Sequence, residues 1–244
     1  MIRFVFLLLL FFAGLFGFER VDKLIIAGPV ATVSHPFFKV LQDNALSDVA
    51  KEVEFRVWNT PDELRALVIN KQVDFVALPT NTAAILYNKG VELELIDVGV
   101  WGILAIVSRD KEIKRIEDLK GKEIVVPFRG DMPDIVLQAL LKRSGLDPKK
   151  DLKLKYVATP PDAMSSLILR QSDTVLLAEP ATSVALKKTG SFPLKLIAPD
   201  IFRVIDIQKE WGARFGVEPK LPVAGIASVG KQDDKITNRV LEEY

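Results

Sequence analysis

The sequence predicts an α/β protein built as two similar lobes, each a mainly parallel sheet flanked by helices, with a ligand cleft between them. Three observations carry that expectation. The chain repeats its own pattern at a shift of 99 residues. Within each copy, short apolar segments alternate with stretches of helical periodicity, which is how βαβ units read. The length of 244 residues, with 49% apolar and 27% charged, suffices for two lobes with their own cores.

The elements follow in order. Leu24-Ile-Ile-Ala-Gly28 falls on Glu123-Ile-Val-Val-Pro127, and both are apolar on two faces, as buried parallel strands are. Val53 to Trp58 falls on Leu152 to Val157, two alternating strands. Thr60-Pro61 and Thr159-Pro160 each place a capping side chain before an N1 proline, a helix start. Leu64, Leu67 and Val68 then keep helical spacing, as do Met164, Leu167 and Ile168. Phe75 to Leu78 and Thr174 to Leu177 are the third strands, each entered through an aspartate, Asp74 or Asp173. The crossovers should be right-handed. Leu95 to Ser108 is long, apolar and β-rich, so it is expected to run from one lobe into the other, with the hinge near 96–108. A return crossing is expected near 194–203. This assigns 18–100 and 203–244 to lobe one and 101–202 to lobe two, with closure about a two-stranded hinge as the expected motion.

Residues 1–17 read as a cleavable export signal: Arg3 supplies the charge, Phe4 to Phe12 the apolar run, and Ala13, Gly14 and Gly17 the small residues. The alternative is an uncleaved N-terminal anchor, although the run is short of the roughly 20 apolar residues of a membrane span. Export points to the bacterial periplasm. The 33 basic and 32 acidic residues give a net charge of +1, without the basic footprint of a nucleic-acid binder. Cysteine is absent and histidine occurs once, which excludes disulfides, cysteine nucleophiles, thiolate metal sites and multi-histidine sites. No GxSxG, GxxxxGK[ST] or GxGxxG motif is present, and no cofactor is expected.

In open parallel sheets, ligands bind beyond the carboxyl ends of the strands, where helix N-termini favour anions. That selects Thr32, Ser34 and His35 after the first strand, and Thr80, Asn81 and Thr82 after the third. In lobe two it selects Phe128, Arg129, Asp131 and Met132, then Thr159, then Glu179. Several have simpler readings. Thr80 and Thr159 can be helix caps, and Asp131 can cap the helix that follows it. Arg129 can be an anion ligand or solvated, with Arg203 a second possible anion partner. Trp101, near the crossing, can stack on a planar ligand or pack in the hinge. Glu179 can face a cationic ligand or water, and His35 can be a ligand group or a surface cap.

The chain resembles periplasmic solute-binding proteins of the nitrate/sulfonate/taurine and thiamine-precursor type, which serve ABC importers. The residues that carry this are Gln72 to Pro79, Ile116 to Pro127 with its Asp-Leu-Lys-Gly-Lys core, Ser144-Gly-Leu-Asp-Pro148, Gln171-Ser-Asp173 and Ala178-Glu-Pro180. The resemblance implies the type II periplasmic-binding fold and ligand loops at Val30 to His35, Thr80 to Thr82, Phe128 to Met132 and Glu179. It departs at Gln72 and Gln171, where the family usually has glycine. It departs also at Tyr244, where relatives usually continue through further helices.

The expected function is therefore a monomeric, non-enzymatic receptor. It would bind a small anionic or heterocyclic solute (a sulfonate, nitrate, a carboxylate or a pyrimidine precursor) and deliver it to an inner-membrane ABC permease. The alternative is an enzyme on the same fold, of the pyrimidine-precursor or menaquinone-pathway kind, since fold alone does not decide function.

Overall fold

A computed structural model of the protein describes residues 19–197 and 200–244. The export segment expected over residues 1–17 lies outside them. No described helix is long and apolar enough to cross a membrane.

The chain begins with β1 (Val21–Gly28), a short 3-10 turn over Thr32–Ser34, α1 (His35–Gln42), β2 (Ala50–Val57), α2 (Pro61–Ile69), β3 (Phe75–Pro79) and α3 (Thr80–Asn88). It continues through β4 (Leu93–Trp101), β5 (Leu104–Ser108), β6 (Glu123–Pro127), α4 (Met132–Arg143), β7 (Lys153–Val157), α5 (Pro160–Ile168) and β8 (Thr174–Ala178). It ends with α6 (Ala181–Thr189), α7 (Leu194–Ile197), β9 (Phe202–Asp206), α8 (Ile207–Phe215), β10 (Pro222–Val229) and α9 (Asp234–Glu243).

These elements make two five-stranded sheets, ordered β2-β1-β3-β10-β4 and β7-β6-β8-β5-β9. In each, the first three strands are parallel. β10 and β5 then run antiparallel to both of their neighbours. The repeat is therefore topological as well as sequential. At the shift of 99, α2 falls on α5 and β3 on β8 without offset.

Local chemistry sets the helix starts. The Thr60 hydroxyl accepts from the Glu63 N–H and the Thr159 hydroxyl from the Asp162 N–H, each one residue before an N1 proline. The Asp131 carboxylate accepts from the Met132 N–H and caps α4. β3 and β8 are buried along almost their whole length because helices cover both faces.

β4 belongs to the first sheet, β5 to the second, and Gly102 sits between them at φ +59°. The return differs from the expectation of 194–203. Phe202–Asp206 forms an edge strand of the second sheet, paired with β5. α8 follows in the same lobe, its side chain of Arg214 bonded to Glu117. The chain regains the first sheet only over residues 216–221, so 203–215 belong with lobe two and Trp101 ends a lobe-one strand.

One buried cluster joins the lobes. It includes Ile26, Phe37 and Phe75 from the first, and Ile106, Ile124 and Leu140 from the second. Each such side chain stabilises the fold by about 1.5–3 kcal/mol through apolar burial. Smaller clusters around Leu64 and Leu78, and around Leu167 and Leu177, fill the other faces of the two sheets.

Candidate functional site

The parallel strands of both sheets end at one cavity of about 410 Å³. The first lobe supplies Pro29 to Val33 after β1, Trp58 and Asn59 after β2, Leu78 and Pro79 at the end of β3, and Val223 and Ala224 on β10. The second supplies Pro127 and Phe128 after β6, Met132 and Pro133 on α4, and Thr159 to Pro161 and Met164 on α5. Leu176 to Ala181, with Val184 on α6, close that side. This is the crevice at strand carboxyl ends that the topology calls for.

Of the residues singled out from the sequence, Thr32, Phe128, Met132, Thr159 and Glu179 line the cavity. Phe128 does so at φ +55°, a left-handed conformation uncommon for a residue with a side chain. The Thr32 hydroxyl reaches across the cleft to the Glu179 carbonyl at 3.4 Å. The Thr159 hydroxyl serves its own helix, donating to the Asp162 carboxylate at 2.6 Å and accepting the Asp162 N–H.

The others lie elsewhere. Ser34 is fully buried beneath β1, where its Oγ sits 2.3 Å from the position a Cβ on Gly28 would take. His35 begins α1 and lines a second cavity of about 470 Å³, with Asp97 and Tyr244 on its wall. Thr80 donates to the Pro222 carbonyl at 2.8 Å and ties α3 to β10. Trp101 is exposed and donates its indole N–H to the Val98 carbonyl. Arg129 stacks over the Tyr156 ring, 5.0 Å from its centroid.

Asn81, Thr82 and Asp131 come together, but as a tie between lobes. The Asp131 carboxylate, 3% exposed, accepts from Asn81 Nδ2 and Thr82 Oγ1, both at 3.0 Å. Arg65 of α2 stands 3.5 Å from its other oxygen. All three partners belong to the first lobe and Asp131 to the second.

Among the described lining residues none is Lys, Arg or His, and Glu179 is the one carboxylate. Burial pushes the Glu179 carboxyl up, but the bonds from Ser183 and Arg203 outweigh it and hold the group below the usual carboxylate range. Next to the cavity, burial and the neighbouring Asp134 push the Tyr156 phenol up.

Sequence reasoning passed over Trp58, Met164, Val223 and Ala224. Trp58 directly follows the second strand and could have been drawn from the loop there, whereas Met164 lies inside α5. β10 offered no signal, because its place beside β3 depends on a pairing almost 150 residues away in sequence.

Comparison with known proteins completes the picture. A family model for the ABC transporter, phosphonate, periplasmic substrate-binding protein matches residues 31–196. No curated protein matches the chain. An ABC transporter protein from Parabacteroides distasonis shares 24% identity at a TM-score of 0.64, over 92% of this chain and 70% of that one. The alkanesulfonate-binding protein SsuA from Xanthomonas axonopodis pv. citri, bound to MOPS, shares 17% at 0.65, over 92% and 72%. The periplasmic aliphatic sulphonate binding protein SsuA from Escherichia coli shares 16% at 0.62, over 85% and 61%. At these identities the likeness to solved structures is one of fold, and it is the two-lobed fold expected from the sequence.

Proposed function

The chain belongs to the periplasmic substrate-binding proteins of ABC transporters, and on that premise we propose that it captures a small organic solute between its two lobes and hands it to a membrane permease. The observation that carries this reading is the cavity itself: about 410 Å³, walled by both lobes, at the carboxyl ends of the parallel strands. Binding would draw on Thr32 and Asn59 from the first lobe and on Phe128, Met132, Thr159 and Glu179 from the second. The crossings at 102–103 and 216–221 would act as the hinge. Residues 1–17 would direct export to the periplasm, where the protein would work as a monomer.

Phosphonates and alkanesulfonates, named for the family model and for two of the similar structures, belong in a solute panel beside uncharged organic molecules. The test is a shift in unfolding temperature across a solute panel. A solute at about 100 times its dissociation constant adds roughly 2.7 kcal/mol to stability. Ala181→Trp, which fills the cavity from the start of α6, should abolish the shift. A shift that survives Ala181→Trp refutes the site.

A further inference from the structure

Resting on the reading of this cavity as the solute site, we infer that its solute is an uncharged, largely apolar organic molecule and not an oxyanion. Three observations converge. The first is the wall. It carries no cationic side chain among the described residues, and Leu78, Met132, Met164, Leu177, Val184 and Val223 supply much of its surface. An anion moved from water into such surroundings loses its hydration and gains no counter-charge.

The second observation concerns the helix starts around the cavity, which elsewhere make ready anion sites. Here four of them, at α2, α4, α5 and α6, are occupied by the protein's own carboxylate with a proline, which has no N–H to give, beside it, while the 3-10 turn at Thr32 and α3 carry no side-chain cap. At α4, Asp131 accepts the Met132 N–H at 2.9 Å, Asp134 accepts the Gly130 N–H at 2.8 Å, and Pro133 follows. At α5, Asp162 accepts the Thr159 N–H at 3.0 Å, and Pro160 and Pro161 fill the first two positions. At α6, Glu179 accepts the Ser183 N–H at 3.1 Å beside Pro180. At α2, Glu63 accepts the Asn59 N–H at 2.8 Å ahead of Pro61. An entering oxyanion would meet four carboxylate-filled helix ends.

The third is the fate of the nearby cations. Arg203 is paired with Glu179, and Arg129 lies over the Tyr156 ring. The Arg203 charge is met by a carboxylate, and the exposed Arg129 guanidinium is turned onto the ring, outside the cavity wall. The Asn59 carboxamide is left to meet one polar edge of a solute whose body packs on methionine and leucine, and the Thr32 hydroxyl, which donates to the Glu179 carbonyl, can still accept there. Methionine adapts its shape readily to such bodies.

The experiment reads thermal unfolding and calorimetric binding with indole and cyclohexanol as neutral probes, and with methylphosphonate and ethanesulfonate as anionic ones. Wild type, Ala181→Trp and Glu179→Gln are compared; Val184→Trp replaces the first variant should it fail to fold. The neutral probes should bind saturably to wild type and lose binding in the cavity-filling variant, while the anions give no shift. Glu179→Gln should release Arg203 and remove the negative charge from the α6 N-terminus. It should raise methylphosphonate affinity by about 10-fold or more, the worth of one charge-assisted contact. Anions that bind wild type and are lost in Ala181→Trp overturn the inference and leave the cavity as the solute site. Binding of any probe that survives Ala181→Trp, or no binding by either class, overturns both.

Discussion

Asp131→Ala should cost the protein about 3 kcal/mol, more than a helix cap alone is worth. The carboxylate does two things at once. As N-cap of α4 it accepts the Met132 N–H, and loss of such a cap costs about 1 kcal/mol. It also accepts from Asn81 and Thr82 across the cleft, and charge-assisted bonds contribute about 1.5 kcal/mol or more each, with incomplete additivity. Thr82 is fully buried, so its hydroxyl is left in a dry site with no partner once Asp131 is truncated. Arg65 is one-third exposed and 3.5 Å away, which limits it to under about 1 kcal/mol. A fold of this size loses roughly 2–4 °C per kcal/mol, so the unfolding temperature should fall by about 6–12 °C. The assay is urea unfolding of wild type, Asp131→Ala, Thr82→Val and the double variant. The cycle should return a coupling of about 1 kcal/mol between two residues of different lobes. A loss no larger than about 1 kcal/mol, with zero coupling, would mean that Asp131 is a cap and nothing more.

Other expectations follow from single features. Gly225→Ala puts a Cβ 1.9 Å from the Asp97 carbonyl oxygen, where β10 shifts register against β4, and should destabilise by about 3 kcal/mol or prevent folding; a soluble variant with wild-type urea midpoint would contradict the packing. Gly212→Ala meets the backbone of Pro219 at 2.8 Å and should cost about 1–3 kcal/mol by the same measurement, and no cost would show that this loop yields freely. Bonds from Arg56 and then Lys23 lower the Glu54 carboxyl to about 2, so its stabilising effect is present above the ordinary value of 4.5 and fades as pH falls towards 2. Urea midpoints should therefore decline over that window, less steeply in Glu54→Gln, and equal slopes would reject the assignment. Burial, with Asp97 nearby, pushes the Tyr244 phenol up to about 12, so its contribution holds below pH 10 and is lost as pH rises through 12. The last step of the phenolate absorbance titration should vanish in Tyr244→Phe.

Much of the fold was legible because it rests on local signals that occur twice. Thr60-Pro61 and Thr159-Pro160 announce their helices through a hydroxyl and a ring placed at fixed offsets. β3 and β8 announce themselves as apolar runs that only a doubly covered strand tolerates. The return crossing was misplaced for a related reason. Leu194 to Phe202 looks like the apolar stretch of the first crossing, whereas the true return, Gly216 to Leu221, is short and polar, with Pro219 in it. What decides the matter is Ile205, which buries opposite Ile106 on β5 and commits Phe202–Asp206 to the second sheet. Pairing partners almost 100 residues apart leave no mark in either segment alone.

The site was legible as a set of loops but not as a set of side chains, and the difference is electrostatic. A strand-end rule selects backbone positions, and it selected those around the cavity. It then credits each polar residue there with a free hydrogen-bonding group. Whether that group is free depends on neighbours the rule does not see. Asp131, Asn81 and Thr82 spend theirs on one another across the cleft, Thr159 on Asp162, and Glu179 on Ser183 and Arg203. Arg129 points at an aromatic face on the neighbouring strand. Buried polar groups are mostly paired within a protein, so a cleft whose two lobes fill four of their own helix ends becomes largely apolar in effect although its sequence is rich in threonine, asparagine and aspartate. Polarity read along the chain and polarity presented to a solute are separate quantities here, and it is the second that should govern what the cavity admits.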